Sequence, residues 1–184
     1  MKSKTLAISA ISAALVAVSL TVGAYIGAAD LFALIVASAF VIMPLYRGSY
    51  RGCLLAFAVG GVIALIASGF NFAYSVVFPA YFGFFGAYPI LFSYLSDKNV
   101  KKPVRAIIGI LWCVAAFYGM YFYYTLVMGL NLNDLPEWMP EFIKSAVVYS
   151  IGVIAVIFYF IFDRFIQVMR VFFNNYIGRI TKDK

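Results

Sequence analysis

The sequence predicts an all-α, polytopic membrane protein, a bundle of six transmembrane helices with both termini on the cytoplasmic side. Three observations predict it. Hydrophobic residues make up 65% of the 184-residue chain and charged residues only 11%, far from the balance of a water-soluble domain. The apolar residues gather into six stretches, about 6–28, 31–46, 51–69, 72–95, 105–128 and 142–163. Their lengths suit a hydrocarbon core of ~30 Å crossed at ~1.5 Å per helical residue. Finally, all of the 14 lysines and arginines except Lys144 fall on one face of such a bundle. Basic residues in short loops stay cytoplasmic.

Taken in order, the first stretch follows Lys2 and Lys4, and only Asp30 separates it from the second. The second is the shortest and ends near Pro44, which calls for an untilted helix or a locally thin bilayer. Arg47 and Arg51 follow it, whereas no charge follows the third at 68–72. The long fourth stretch carries Pro79 and Pro89, so a tilt or kink is expected. Asp97, Lys98, Lys101, Lys102 and Arg105 then lead to the fifth, and Asp134, Glu137, Glu141 and Lys144 surround the turn after it. Beyond the sixth, Phe165, Val168, Met169, Phe172, Phe173 and Tyr176 keep helical spacing, with Arg164, Gln167, Arg170 and Asn174 largely on another face. The sixth helix is expected to continue, with 164–184 an amphipathic tail at the cytoplasmic interface. Continuous apolar runs rather than alternating ones favour helices over barrel strands. No repeat or low-complexity linker divides the chain, so 1–184 reads as a single transmembrane domain.

Several function classes are disfavoured. The chain has no histidine, hence neither the usual general base of hydrolases nor the commonest zinc ligand. Cys53 and Cys113 sit in apolar stretches without a CxxC pattern, as two buried thiols would. There is no GxSxG, HExxH or GxxxxGK[ST] pattern. No enzyme activity, catalytic residue, metal or cofactor is therefore expected. No Asp, Glu, Lys or Arg lies at mid-depth, where ion-driven pumps keep such groups. The net charge of +7 suits anionic lipid beside the bilayer rather than nucleic acid.

Three features could carry function. In the first helix Ala10 and Ala14 lie one turn apart, beside a second ladder of Ser9, Ala13 and Ala17. Small residues at this spacing let helix backbones approach closely in lipid, either within the bundle or against another membrane subunit. In the fourth helix Pro79, Gly83, Gly86 and Pro89 interrupt an aromatic run, allowing close contact and releasing backbone carbonyls. The outward rim gathers Asp30, Asn71, Tyr74, Asn131, Asn133, Asp134, Glu137, Trp138 and Glu141, with Tyr121, Tyr123, Tyr124 and Tyr149 within about two turns. Aromatic residues at that depth serve as an interfacial belt or line a cavity. Lys144 breaks the charge rule. Paired with Glu141 three residues earlier it is a plain ion pair; pointed into an outward cavity it would meet a carboxylate or phosphate.

The pattern of Lys4 with its Ala/Ser ladder, the PLYRGSYRG run from Pro44 to Gly52, and the FFGAYPIL run from Phe84 to Leu91 resembles uncharacterised six-span membrane proteins of Gram-positive bacteria. These in turn resemble the substrate-binding S components of energy-coupling factor (ECF) transporters. The resemblance covers most of the chain and is best over 4–95. It implies a six-helix, N-in fold and vitamin uptake at the plasma membrane. It also implies docking on a transmembrane T subunit through an AxxxA motif, which Ala10 and Ala14 match. Many S components have a longer first outward loop than the tight turn at 27–31.

The expected function is thus a substrate-capturing subunit of an importer for a small solute such as a vitamin, driven by cytoplasmic ATPase subunits. Asn71 and Tyr74 would hydrogen-bond the solute, Tyr121, Trp138 and Tyr149 would stack on it, and Lys144 would neutralise an anionic group. The rival expectation is a non-transporting membrane scaffold that binds other transmembrane subunits.

Overall fold

The computed structural model describes residues 3–70, 76–127, 129 and 141–182, with only the helical backbone at 141–145, 147, 148 and 177–182. Every regular element among them is helical. Helix α1 (Ser3–Tyr25) leads through a 3-10 turn at Gly27–Ala29 into α2 (Asp30–Val41). A second 3-10 segment, Met43–Arg47, carries Pro44 and closes on Gly48 in the left-handed region at φ 64°. Helices α3 (Tyr50–Ala67), α4 (Val77–Ala80), α5 (Ala87–Asp97), α6 (Lys102–Val127) and α7 (Glu141–Lys182) follow, with a π segment at Tyr81–Phe85 joining α4 to α5.

Among the described residues, five helical stretches are long and apolar enough to cross a membrane: Ser3–Tyr25, Gly27–Arg47, Tyr50–Ala67, Lys102–Val127 and Tyr149–Tyr176. The short second stretch gains its length from the 3-10 segments at both ends of α2, which rise ~2.0 Å per residue rather than 1.5 Å. The remaining apolar stretch is helical from Val77 to Asp97 but divided by the π segment. The exterior is apolar as well. Leu126 is 81% exposed, Phe32 71% and Leu111 65%, and of the most apolar 18 residues of α6 only 11% are buried. A surface of that kind is insoluble in water and at home in lipid.

Side-chain contacts set the direction of each pass. Tyr25 at the end of α1 donates to the Ala67 carbonyl at the end of α3 (3.1 Å), so these two helices run parallel with α2 reversed beside them. The fourth pass runs back along α3, with Phe57 against Tyr81 at 5.3 Å and Tyr50 against Tyr94 at 5.7 Å. Helix α6 reverses again, placing Trp112 on Gly83 and Arg105 over Phe92. Helix α7 returns along α6, with the Cys113 thiol on the Ala155 carbonyl (3.3 Å).

The core is aromatic at the fourth pass and α7. Phe84 stacks on Tyr88 at 5.2 Å and lies 5.3 Å from Phe162, and Phe158 stacks on Phe162 at 5.6 Å. Ala155, Tyr159, Phe162, Ile166 and Phe173 form one buried stripe down α7. The helix therefore stays packed on the bundle well past residue 163. Its 42 residues make ~63 Å at ~1.5 Å per residue, about twice a hydrocarbon core.

Two prolines account for the long-range bonds of Ser12 and Ser38. Pro44 has no N–H for the carbonyl four residues back, that of Phe40, and the Ser12 hydroxyl of α1 donates to it instead. Pro89 likewise frees the Phe85 carbonyl, and Ser38 of α2 donates to it at 2.7 Å. Where the π segment loosens the ladder, the Trp112 indole donates to the Gly83 carbonyl at 2.9 Å. The Gly83 and Phe85 carbonyls of the fourth helix are thus taken by neighbouring helices. The two glycines there differ: a Cβ on Gly86 would strike Phe57 (2.5 Å), whereas none of the described atoms lies within 4 Å of one on Gly83.

At the end that carries the basic residues, Tyr50 and Arg170 both donate to the Asp97 carboxylate, tying α3, α5 and α7 at one level. Partial burial works against the charge on Asp97. The hydrogen bonds from Tyr50 and Arg170, with the Arg170 charge, outweigh it and hold the carboxyl below its ordinary value.

Candidate functional site

At the opposite end, α2, the fourth pass, α6 and α7 diverge around a cleft of about 410 Å³, within the usual range for a small-molecule site. Its walls are built from faces that helical spacing brings into line. Phe117, Tyr121 and Tyr124 project from α6 at i, i+4 and i+7. Leu34 and Phe85 close the sides and Ile151 comes from α7. Asp30 stands at the mouth, in the first turn of α2. Among the described residues lining the cleft it is the only charged one.

Of the residues predicted to bind solute, Tyr121 lines this cleft. Tyr149 does not: it is 78% exposed on α7 and absent from the described lining. It is separated from Ile151 by a rotation of about 200° around the helix, which turns it away. Asn71, Tyr74 and Trp138 lie outside the described residues, as does the side chain of Lys144, whose backbone belongs to the first turns of α7. The sequence reading placed Asp30 and Tyr124 in the rim but gave them no role. The signal that points to Tyr124 is its shared face with Phe117 and Tyr121.

Comparison with known proteins yields no matching family model, no matching curated protein and no matching solved structure. The functional reading therefore rests on the chain's own geometry.

A second surface lies on α1, where the structure separates the two small-residue rows. Ser9, Ala13 and Ala17 are buried, with Ser12, Val16 and Leu20 beside them. Ser12 turns to α2, and Ser9, Ala13 and Val16 meet the glycines of α3. A Cβ on Gly60 would lie 2.7 Å from Val16 Cγ1 and 2.9 Å from the Ala13 carbonyl oxygen. Ala10 and Ala14, by contrast, are exposed, continuous with exposed Ala7 and Val18. This face has no protein against it among the described residues, and its small side chains leave the helix backbone within reach of another helix.

Proposed function

We propose that this chain is the substrate-capturing membrane subunit, S-component-like, of an ECF-type importer for a small solute such as a vitamin. In this reading six passes cross the plasma membrane with both termini in the cytoplasm. The cleft beside Asp30 opens outward and receives the solute, and Ala10 and Ala14 dock on a T subunit whose partner ATPases supply the energy. The observation that carries the reading is the outward turn of the Ala10/Ala14 row while its neighbour is buried on α3. A small-residue face left free on a lipid-exposed helix suits a partner helix better than lipid, because close backbone approach is useful only to another backbone. A cleft at the end away from the basic residues adds a place for a ligand. The chain's helices and cavity supply binding and orientation; no enzyme chemistry enters the proposal.

The test is copurification of the full chain with candidate T and ATPase subunits, wild type against Ala10→Leu combined with Ala14→Leu. Loss of both partners is expected for the variant. Orientation is checked by single-cysteine labelling in a Cys53- and Cys113-free background. Positions 4, 51, 101 and 179 should label from the cytoplasm and position 137 from outside. The same α1 face would serve a non-transporting scaffold; other membrane partners and no bound solute would favour that second reading.

A further inference from the structure

We infer that the cleft beside Asp30 takes a cationic ligand, an amine or quaternary ammonium on an apolar or aromatic body, rather than the anionic solute that Lys144 would suggest. The inference rests on the proposed reading of this cleft as the capture site and names the class of solute it selects.

Three features of the lining carry it. The cleft, at about 410 Å³, is walled by Phe85, Phe117, Met120, Tyr121 and Tyr124, which accommodate an apolar body of the size of a fused aromatic ring system. The only charge among its described lining residues is negative, that of Asp30 at the mouth. A carboxylate in a partly desolvated setting favours an opposite charge and repels a like one. Tyr121 and Tyr124 line the same cleft, and a tyrosine ring carries the negative side of its quadrupole on its face, which attracts an ammonium group and disfavours a carboxylate. Acid and aromatic rings therefore select for the same sign of charge. Asp30 has a structural use too, since a carboxylate in the first turn of α2 complements the positive end of that helix. That use depends on no ligand, so ligand preference separates the two.

The full chain in nanodiscs of zwitterionic lipid is titrated with naphthylethylamine and with naphthylpropanoate, which share one aromatic body and differ in the sign of charge. Naphthyl fluorescence gives the affinity, with empty nanodiscs subtracted for partition into lipid. The amine is expected to bind about tenfold tighter than the carboxylate, the effect of one charge-assisted contact. Asp30→Asn should erase that preference and Asp30→Glu should keep it. A ligand-free melt identifies any loss of fold in the variants, and Met120→Trp, which fills the cleft from α6, should weaken the amine while leaving Asp30 in place. Equal binding, preference for the carboxylate, binding of neither probe, or a preference that survives Asp30→Asn overturns the inference. The importer reading is judged apart from this, by copurification through Ala10 and Ala14.

Discussion

The two small-residue rows of α1 are one position apart in sequence and about 100° apart around the helix, yet the bundle uses them in opposite ways. The Ser9, Ala13 and Ala17 row is pressed onto α3, where Gly60 admits Val16 and the Ala13 backbone. The Ala10 and Ala14 row faces outward. The difference teaches that a small-xxx-small pattern states how close a neighbour can come, not which neighbour it is. In lipid the apolar environment is the same on both sides, so packing, not hydrophobicity, decides the partner.

The strongest way to break the comparison is to enlarge the buried seam. Gly60→Leu places a Cβ within 2.7 Å of Val16 and 2.9 Å of the Ala13 oxygen. Overpacking of this kind costs about 1–3 kcal/mol or more. The variant should lose most of its folded yield in detergent and melt well below wild type; an unchanged melt would mean that α1 and α3 are not in contact there. Next comes the outward row. Ala10→Leu with Ala14→Leu should leave the melting temperature near that of wild type, since neither side chain meets the bundle, while abolishing partner copurification. A large drop in melting temperature would move this row into the core.

The third test asks how firmly the buried contacts are committed. Ser38→Ala removes the donor from the Phe85 carbonyl that Pro89 leaves free, at a cost of about 0.5–2 kcal/mol. Pro89→Ala restores a backbone N–H to that carbonyl, so Ser38→Ala should cost measurably less in that background. Equal costs in the two backgrounds would separate the serine from the proline. The smallest effect is expected at Asp97. Its folded value is lowered from 3.8, so its contribution is complete above that pH and is lost as pH falls further through the folded value. The pair with Arg170 is partly exposed and contributes roughly 0–1 kcal/mol. Thermal melts of wild type should therefore lose more stability below about pH 4 than those of Asp97→Asn. Parallel curves would leave the Tyr50–Asp97–Arg170 cluster without an energetic role.

Sequence alone determined the class of this molecule. Hydropathy summed over a window is a local property, so the apolar stretches, the helical character and the gathering of basic residues at one end could be read before any contact was known. The helical continuation past residue 163 was legible for the same reason, but its packing on the bundle through Ile166 and Phe173 was not. The burial of Cys53 and Cys113, both free and fully enclosed, was legible too. Helix rotation was not legible. A helix that is apolar all round carries no stripe to mark its inner face, and so Ala10 and Ala13 could not be told apart without α3. Nor could the sequence show that Ser38 and Trp112 would take the carbonyls of Phe85 and Gly83, because those partners are far apart along the chain. The meeting of Asp30 with Tyr121 and Tyr124 around one cleft was decided in the same way. Each helix's own composition leaves its azimuth free, and only the packing of one pass against the next selects which side chains face each other.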